Sequence, residues 1–299
     1  MKGIVLAGGS GTRLFPLTLA TSKQLLAVYN KPMVYYPLSV LMLAGVRDIL
    51  IISTPSAIPD MRSLLGDGSK LGLNLSYAVQ NEPRGIADAF LIGARHIDGD
   101  DTALVLGDNL FHGSGFPELL RGARDSLDGC TLFGCPVPDP ERYGIGEVDS
   151  AGVLLSIEEK PSRPRSDKAI TGLYLYDGAV VDIARGLSPS PRGELEVTDV
   201  NRAYLERGRA RLIELGRGQR WYDCGTHDSL LAASRYVQSM EKRRGERVAC
   251  LEEIALQMGF IDAEACYRLG AGMRQSAYGR HLTEIASSMG GALRHDSAA

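Results

Sequence analysis

Over the first 235 positions, short apolar runs rich in β-branched residues alternate with segments whose apolar residues recur at helical spacing. The strand-length runs are Gly3–Ala7, Asp48–Ser53, Leu73–Val79, Thr102–Leu106 and Thr131–Pro136. Between several of them the helical period predicts helices over Met33–Ala44, Met61–Leu65, Ile86–His96 and Phe116–Ser126. Strands that alternate with helices imply an α/β fold, with a mostly parallel mixed sheet covered by helices on both faces. Ligands of such sheets sit beyond the carboxyl ends of the strands. That rule places Gly8–Arg13 and Asp108 at one rim, since both directly follow apolar strands.

The pattern changes after residue 140. Gly146–Asp149 and Val153–Glu158 read as a hairpin around Ser-Ala-Gly, and Ile170–Tyr176 as a further strand. Ser188–Gly193 is a Pro- and Ser-rich loop. Thr198 reads as the N-cap of a helix through Glu206, Leu212–Leu215 and Trp221–Asp223 as late strands, and Thr226 as a second cap. From about Tyr236 strand patterns stop, and Glu252–Met258, Asp262–Leu269 and Arg280–Met289 predict short helices. The small, polar residues 290–299 are expected to fray.

Composition narrows the class without naming a chemistry. With 44% hydrophobic and 23% charged residues and a net charge of −3, the 299-residue chain is that of a globular protein without the basic excess of a nucleic-acid binder. Five cysteines form no CxxC pair and read as reduced thiols, which argues against a disulfide framework or a zinc cluster. The five histidines show no metal-ligand spacing. No signal peptide and no membrane-spanning run is apparent, so a cytoplasmic setting is expected.

The candidate chemistry begins at Gly8-Gly-Ser-Gly-Thr-Arg13. Glycines let a turn's backbone N–H groups close on an anion, and an arginine adds a planar fork of donors suited to phosphate. The dinucleotide fingerprint fails here, because Leu14 stands where its third glycine belongs and Gln24–Asn30 carries no acid. The P-loop fails too, because Gly11 is followed by Thr-Arg and not by Lys-Ser or Lys-Thr. An ordinary glycine-rich βα turn remains the plain alternative.

Other groups join this turn. Asp108 closes a buried strand and is held rigidly, as a Mg²⁺ ligand must be; an N-cap or Asx turn is the plainer alternative. Asp223 offers the same choice. Lys160 precedes Pro161, which places it in extended backbone with its side chain projecting as a point charge for phosphate; a solvated surface lysine fits as well. Lys23 carries the same pair of readings. Tyr143-Gly144 could lay a ring and bare backbone against a sugar, and Gln80 could read a base edge. Carboxylates, cations and a glycine turn without an acid–base pair suit phosphoryl or nucleotidyl transfer, where neutralising charge dominates.

Leu6-Ala-Gly-Gly-Ser-Gly-Thr-Arg-Leu14 resembles the signature of the sugar-nucleotide pyrophosphorylases. Ser22–Leu38, Gly107–Asn109, Arg142–Gly144, Glu158–Pro161, Arg192–Asp199 and Trp221–Thr226 extend the resemblance in order over residues 1–230, and narrow it to the members that make dTDP-glucose. Ala27 and Asn30 depart from the usual pattern, which has Pro and Asp there. The resemblance implies a GT-A-type, Rossmann-like nucleotidyltransferase core that uses Mg²⁺ to join dTTP and glucose 1-phosphate with loss of pyrophosphate. It implies that Leu6, Gly8, Gly9, Gly11, Thr12, Arg13, Lys23, Gln24 and Asp108 bind the nucleotide, with Gln80 and Gly85 facing thymine. Asn109, Tyr143, Gly144, Glu159 and Ile170 would surround glucose, while Lys160 and Arg192 grip its phosphate. Asp108 and Asp223 would hold Mg²⁺, and Arg13, Lys23 and Lys160 would carry the catalytic charge. A homotetramer and a second, regulatory nucleotide-sugar site are also implied.

The expected organisation is a nucleotidyltransferase domain over 1–235, with a nucleotide half near 1–130 and a sugar-phosphate half near 131–235 that contains the hairpin. A helical segment over 236–290 and a flexible tail over 291–299 follow. Two other readings stay open: a sister pyrophosphorylase using UTP, CTP or ATP, or another sugar phosphate, and a binding protein that keeps the fold without turnover.

Overall fold

A computed structural model of the chain describes residues 1–9 and 11–296, with side chains described to residue 289. The strands are β1 (Lys2–Ala7), β2 (Asp48–Ser53), β3 (Asn74–Val79), β4 (Thr102–Leu106), β5 (Asn109–Gly113), β6 (Cys130–Pro136), β7 (Gly144–Val148), β8 (Leu154–Glu159), β9 (Lys168–Tyr176), β10 (Ala210–Glu214) and β11 (Gln219–Asp223). Nine of them form one mixed sheet. Its parallel pairs are β1 with β2, β1 with β4, β2 with β3 and β6 with β10. The long β9 runs antiparallel between β6 on one side and β4 on the other. The β7–β8 hairpin joins β9 near its start, where Ala169 pairs with Ile145.

Register aligns the functional turns. Ala7 lies opposite Ser53, Leu6 opposite Leu106, and Ser53 opposite Val79, so the segments after β1, β3 and β4 leave the sheet along one edge. Two elements were not legible in the sequence. β5 continues immediately after Asp108 and pairs with β11, and a two-residue ribbon joins Ala27–Val28 to Lys31–Pro32.

The period of two sends alternate strand residues to opposite faces. Val5, Ala7, Ile49, Ile51 and Val105 pack on one side with α1 (Tyr35–Leu43), α5 (Phe116–Asp125) and α9 (Leu251–Gln257). Ile4, Leu6, Leu50, Ile52 and Leu104 pack on the other with α3 (Asp88–Ile92), α6 (Val180–Arg185) and α7 (Val197–Glu206). The helix expected over Ile86–His96 is broken into α3 and α4 (Ala94–Ile97) at Gly93. A side chain at Gly93 would meet the Ala89 carbonyl at 2.9 Å and Ile4 at 3.0 Å, so the residue that allows this close packing also ends α3. The remaining helices are α2 (Ile58–Leu65), α8 (His227–Arg244), α10 (Ala263–Gly272) and α11 (Ala277–Asp296). α8 crosses residue 235, where the sequence pattern suggested a division. The tail expected over 291–299 falls among residues without described side chains, and 297–299 lie outside the described residues. No helix among the described residues is long and apolar enough to cross a membrane.

Of the two expected caps, one holds. Thr226 accepts from the Ser229 N–H (3.2 Å), and the Ser229 hydroxyl accepts from the Thr226 N–H (3.0 Å), forming a capping box. Thr226→Ala should therefore cost about 0.5–2 kcal/mol, read as a lower melting temperature with α8 still formed. Thr198 is not a cap. Glu196 occupies that position, and Thr198 sits one residue inside α7 because its hydroxyl is drawn to Glu159.

Candidate active site

β1 runs into the glycine turn with Gly9 at φ 98° and Gly11 at φ 61°, a left-handed path that favours glycine. The chain then closes a single 3-10 turn, Thr12–Leu14, pinned by the fully buried Leu14, while Arg13 faces outward. Gly8, Gly9, Gly11, Thr12, Arg13, Lys23 and Asp108 line a cavity of about 260 Å³.

Asp108 is held from three directions. Lys23, nearly buried, pairs with its Oδ2. Asn109 Nδ2 donates to its Oδ1 (2.9 Å), and the Cys224 N–H donates to its carbonyl (2.9 Å). That last bond extends the β5–β11 ribbon, which sets Asp223 opposite Asn109. Asn109 is fixed in turn, because its Oδ1 accepts from Trp221 Nε1 (2.5 Å) and from the Gly172 N–H (3.1 Å). All polar atoms of its side chain are thus engaged by the protein, so Asn109 holds the Asp108 carboxylate in place.

Arg13, Asp108, Asn109, Tyr143, Gly144, Glu159, Lys160, Ile170 and Asp223 line a second cavity, of about 230 Å³. Burial first, and then the nearby Asp108 carboxylate, push the Asp223 carboxyl above its usual range; Lys23, Arg13 and Arg142 pull it back. Two carboxylates facing one cavity make a place that suits a cation. Burial pushes the adjacent Cys224 thiol well up, which removes it as a nucleophile.

A third cavity, of about 340 Å³, adjoins both and is lined by Leu6, Gly8, Gly9, Arg13, Gln24, Gln80, Gly85, Asp108, Glu159, Lys160 and Arg192. Gln80 is almost buried. Its Nε2 donates to Asp88 (3.1 Å) and to the Gly85 carbonyl (3.4 Å), which turns Oε1 toward Gly8, with no donor to it among the described residues. Gly85, at φ 100°, packs so closely that a Cβ would lie 2.3 Å from the Leu195 carbonyl. Glu159 accepts from Thr198 (2.5 Å) and from Arg192 (3.3 Å), and Arg192 is also bonded to Glu196 (2.9 Å).

Lys160 departs from the expected extended backbone. Its φ is 43°, in the left-handed region. Its N–H donates to the Tyr143 carbonyl (3.0 Å), which carries the hairpin pairing one step past Glu159 opposite Gly144. Pro161 bars right-handed helical backbone at Lys160, so the chain turns there through positive φ, at a cost of about 1–2 kcal/mol.

Every residue expected at the site therefore borders one of three adjoining cavities. Arg142, Trp221, Glu196 and Thr198 also line them, although the sequence assigned none of them to the site and offered Thr198 only as a helix cap. All four lie inside the motif runs that carried the resemblance, which was the available signal. Ile86 and Leu106 line the cleft with no signal beyond their neighbours in sequence.

The nucleotidyl transferase family profile matches residues 2–240. A glucose-1-phosphate thymidylyltransferase of Xanthomonas campestris pv. campestris (strain B100) is 55% identical over 285 residues, covering 95% of this chain and 97% of its own length. The enzyme of that name from Mycolicibacterium smegmatis is 53% identical over 95% of this chain and 99% of its own. Among solved structures, a Bacillus anthracis protein described as a glucose-1-phosphate thymidylyltransferase superposes with a TM-score of 0.73 at 39% identity, over 79% of this chain and 94% of that one. Sequence and fold place this chain in the nucleotidyl transferase family, among the glucose-1-phosphate thymidylyltransferases.

Proposed function

We propose that the cleft binds dTTP beside the glycine turn and Gln80, binds glucose 1-phosphate between Tyr143, Glu159 and Lys160, and joins them as dTDP-glucose with release of pyrophosphate. The observation that carries this reading is the convergence of Arg13, Asp108, Lys160 and Asp223 on one cavity. Relatives identical at half their positions or more share the activity in their names.

Within this reading an oxygen of the sugar phosphate attacks the α-phosphorus in line, and pyrophosphate leaves on the opposite side. A phosphate monoester has lost its second proton above about pH 6, so no protein base is needed. The obstacle is repulsion between two anions. Arg13 and Lys23 would neutralise the triphosphate, while Lys160 and Arg192 would draw in the sugar phosphate. Arg192 must first loosen its hold on Glu196.

Five cationic side chains line the three cavities (Arg13, Lys23, Arg142, Lys160, Arg192) against five carboxylates (Asp108, Glu159, Glu194, Glu196, Asp223). The protein alone thus gives a cleft near neutrality, too little for two phosphorylated substrates. Asp108 and Asp223 supply the hard oxygen donors that Mg²⁺ prefers, and fit it. Bound there, the ion would supply Lewis-acid stabilisation of charge on the phosphoryl oxygens.

Gln80 Oε1 would accept the thymine N3–H. Uracil offers the same edge, so selection of dTTP over UTP falls to the thymine methyl against the apolar cleft wall and to the missing 2′-hydroxyl. Pyrophosphate release should be measured with glucose 1-phosphate, Mg²⁺ and each of dTTP, UTP, CTP and ATP. The expected result is the highest kcat/KM with dTTP, exceeding UTP by roughly 10–200-fold, the range that one methyl group supplies. A preference for another base moves the chain to a sister activity, and no turnover with any leaves a binding protein.

A further inference from the structure

Away from the cleft, the fold gathers three residues that the sequence scatters. Cys250 stands immediately before α9, Glu253 lies in its first turn, and His281 lies on α11. One ligand atom from each falls within 4.8 Å of the other two. His281 Nε2 and Glu253 Oε2 are 2.8 Å apart, and both side chains are less than a fifth exposed. The Cys250 thiol is fully buried.

The surroundings are rich in negative charge. Glu252 is nearly buried and accepts from the Tyr278 hydroxyl. Lys31, 5.8 Å from the centre of the Tyr278 ring, is already paired with Glu241. Two carboxylates, a thiol and an imidazole thus lie close together where α9 meets α11.

We propose that Cys250, Glu253 and His281 bind a divalent ion of the zinc class. Sulfur, imidazole nitrogen and carboxylate oxygen together form a donor set that zinc takes and that Mg²⁺ does not favour. Three protein ligands leave the fourth tetrahedral position for water. Bonds of about 2.0–2.3 Å put tetrahedral ligand atoms roughly 3.3–3.6 Å apart, so on binding the His281–Glu253 pair, now 2.8 Å apart, would part slightly to admit the ion. On binding, the Cys250 S–H bond is exchanged for a sulfur–metal bond and the proton goes to solvent. The ion would pin α11 to α9, whose Leu251, Ile254 and Ala255 belong to the main core.

Cobalt(II) titrated into the metal-free, full-length chain tests the site. The expected result is a near-ultraviolet thiolate-to-cobalt charge-transfer band, with intense visible bands of tetrahedral geometry, saturating at a single ion per chain. Cobalt at Asp108 and Asp223 has only oxygen ligands and gives no such band, so this readout is independent of the proposed activity. Cys250→Ser should abolish the band. His281→Gln should weaken cobalt binding by at least about tenfold, and should remove the rise in melting temperature that zinc gives the parent chain. Absence of a thiolate band in the parent, or its survival in Cys250→Ser, overturns the proposal. Should Cys250→Ser fail to fold, His281→Gln decides alone, and unchanged affinity there overturns it equally.

Discussion

Replacing Arg13 by alanine should lower kcat by roughly 10²–10³, the effect of losing one preorganised charge donor, while the fold stays intact. Arg13 borders all three cavities, and among the described residues only Asp108 does the same. A Cβ built on Gly225 would lie 3.2 Å from its guanidinium and 3.0 Å from the Asp223 carboxylate, which sets the two charges side by side. Yet Arg13 is exposed, and its turn is anchored by the buried Leu14. Its removal takes one cation from the Asp223 carboxylate but leaves Lys23 and Arg142 beside it, so no buried charge is left without a counter-charge, the usual source of large stability losses. Steady-state kinetics should show the loss in kcat, with circular dichroism and melting temperature close to the parent. Near-normal turnover would remove Arg13 from the reaction.

The second large effect separates function from folding at one residue. Lys160→Ala and Lys160→Gly should both lose roughly 10²–10³ in kcat/KM for the sugar phosphate, because each removes the ammonium. Their stabilities should differ. At φ 43° an alanine keeps the left-handed penalty of about 1–2 kcal/mol, which a glycine does not incur. The Lys160 side chain is 47% exposed and lies 3.4 Å from Glu159, a screened pair that contributes little to folding. Lys160→Gly should therefore melt above Lys160→Ala by a degree or more while being as inactive. Equal melting temperatures would place the residue outside the strained region. Retained activity in either variant would place its charge outside the site.

The sequence was most legible where the cause of structure is local. Ile4–Ala7 followed by glycines reads as strand and turn because its neighbours in the chain suffice to decide it, and β1 ends as expected. Thr226 was legible as a cap because its partner, Ser229, lies three residues away. Thr198 was misread for the opposite reason: Glu159, on a different strand, claims its hydroxyl. Lys160 was misread because a rule about its neighbour, Pro161, excludes one backbone region without choosing among the rest. The hairpin bond to Tyr143 made that choice. β5 was invisible because Asn109–Gly113 becomes a strand only by pairing with β11, more than a hundred residues later.

By itself the chain's residue order determined the α/β alternation, the glycine turn at the end of β1, and a stock of cations and acids suited to phosphate chemistry. Each of these depends on periodicity or on neighbours within a few positions. Tertiary structure alone decided that Lys23 pairs with Asp108, that Asn109 is locked by Trp221 and Gly172, that Asp223 shares Asp108's cavity, and that Cys250 meets His281. Those contacts join distant segments, and their distances are set by strand pairing and helix packing, which no local pattern encodes.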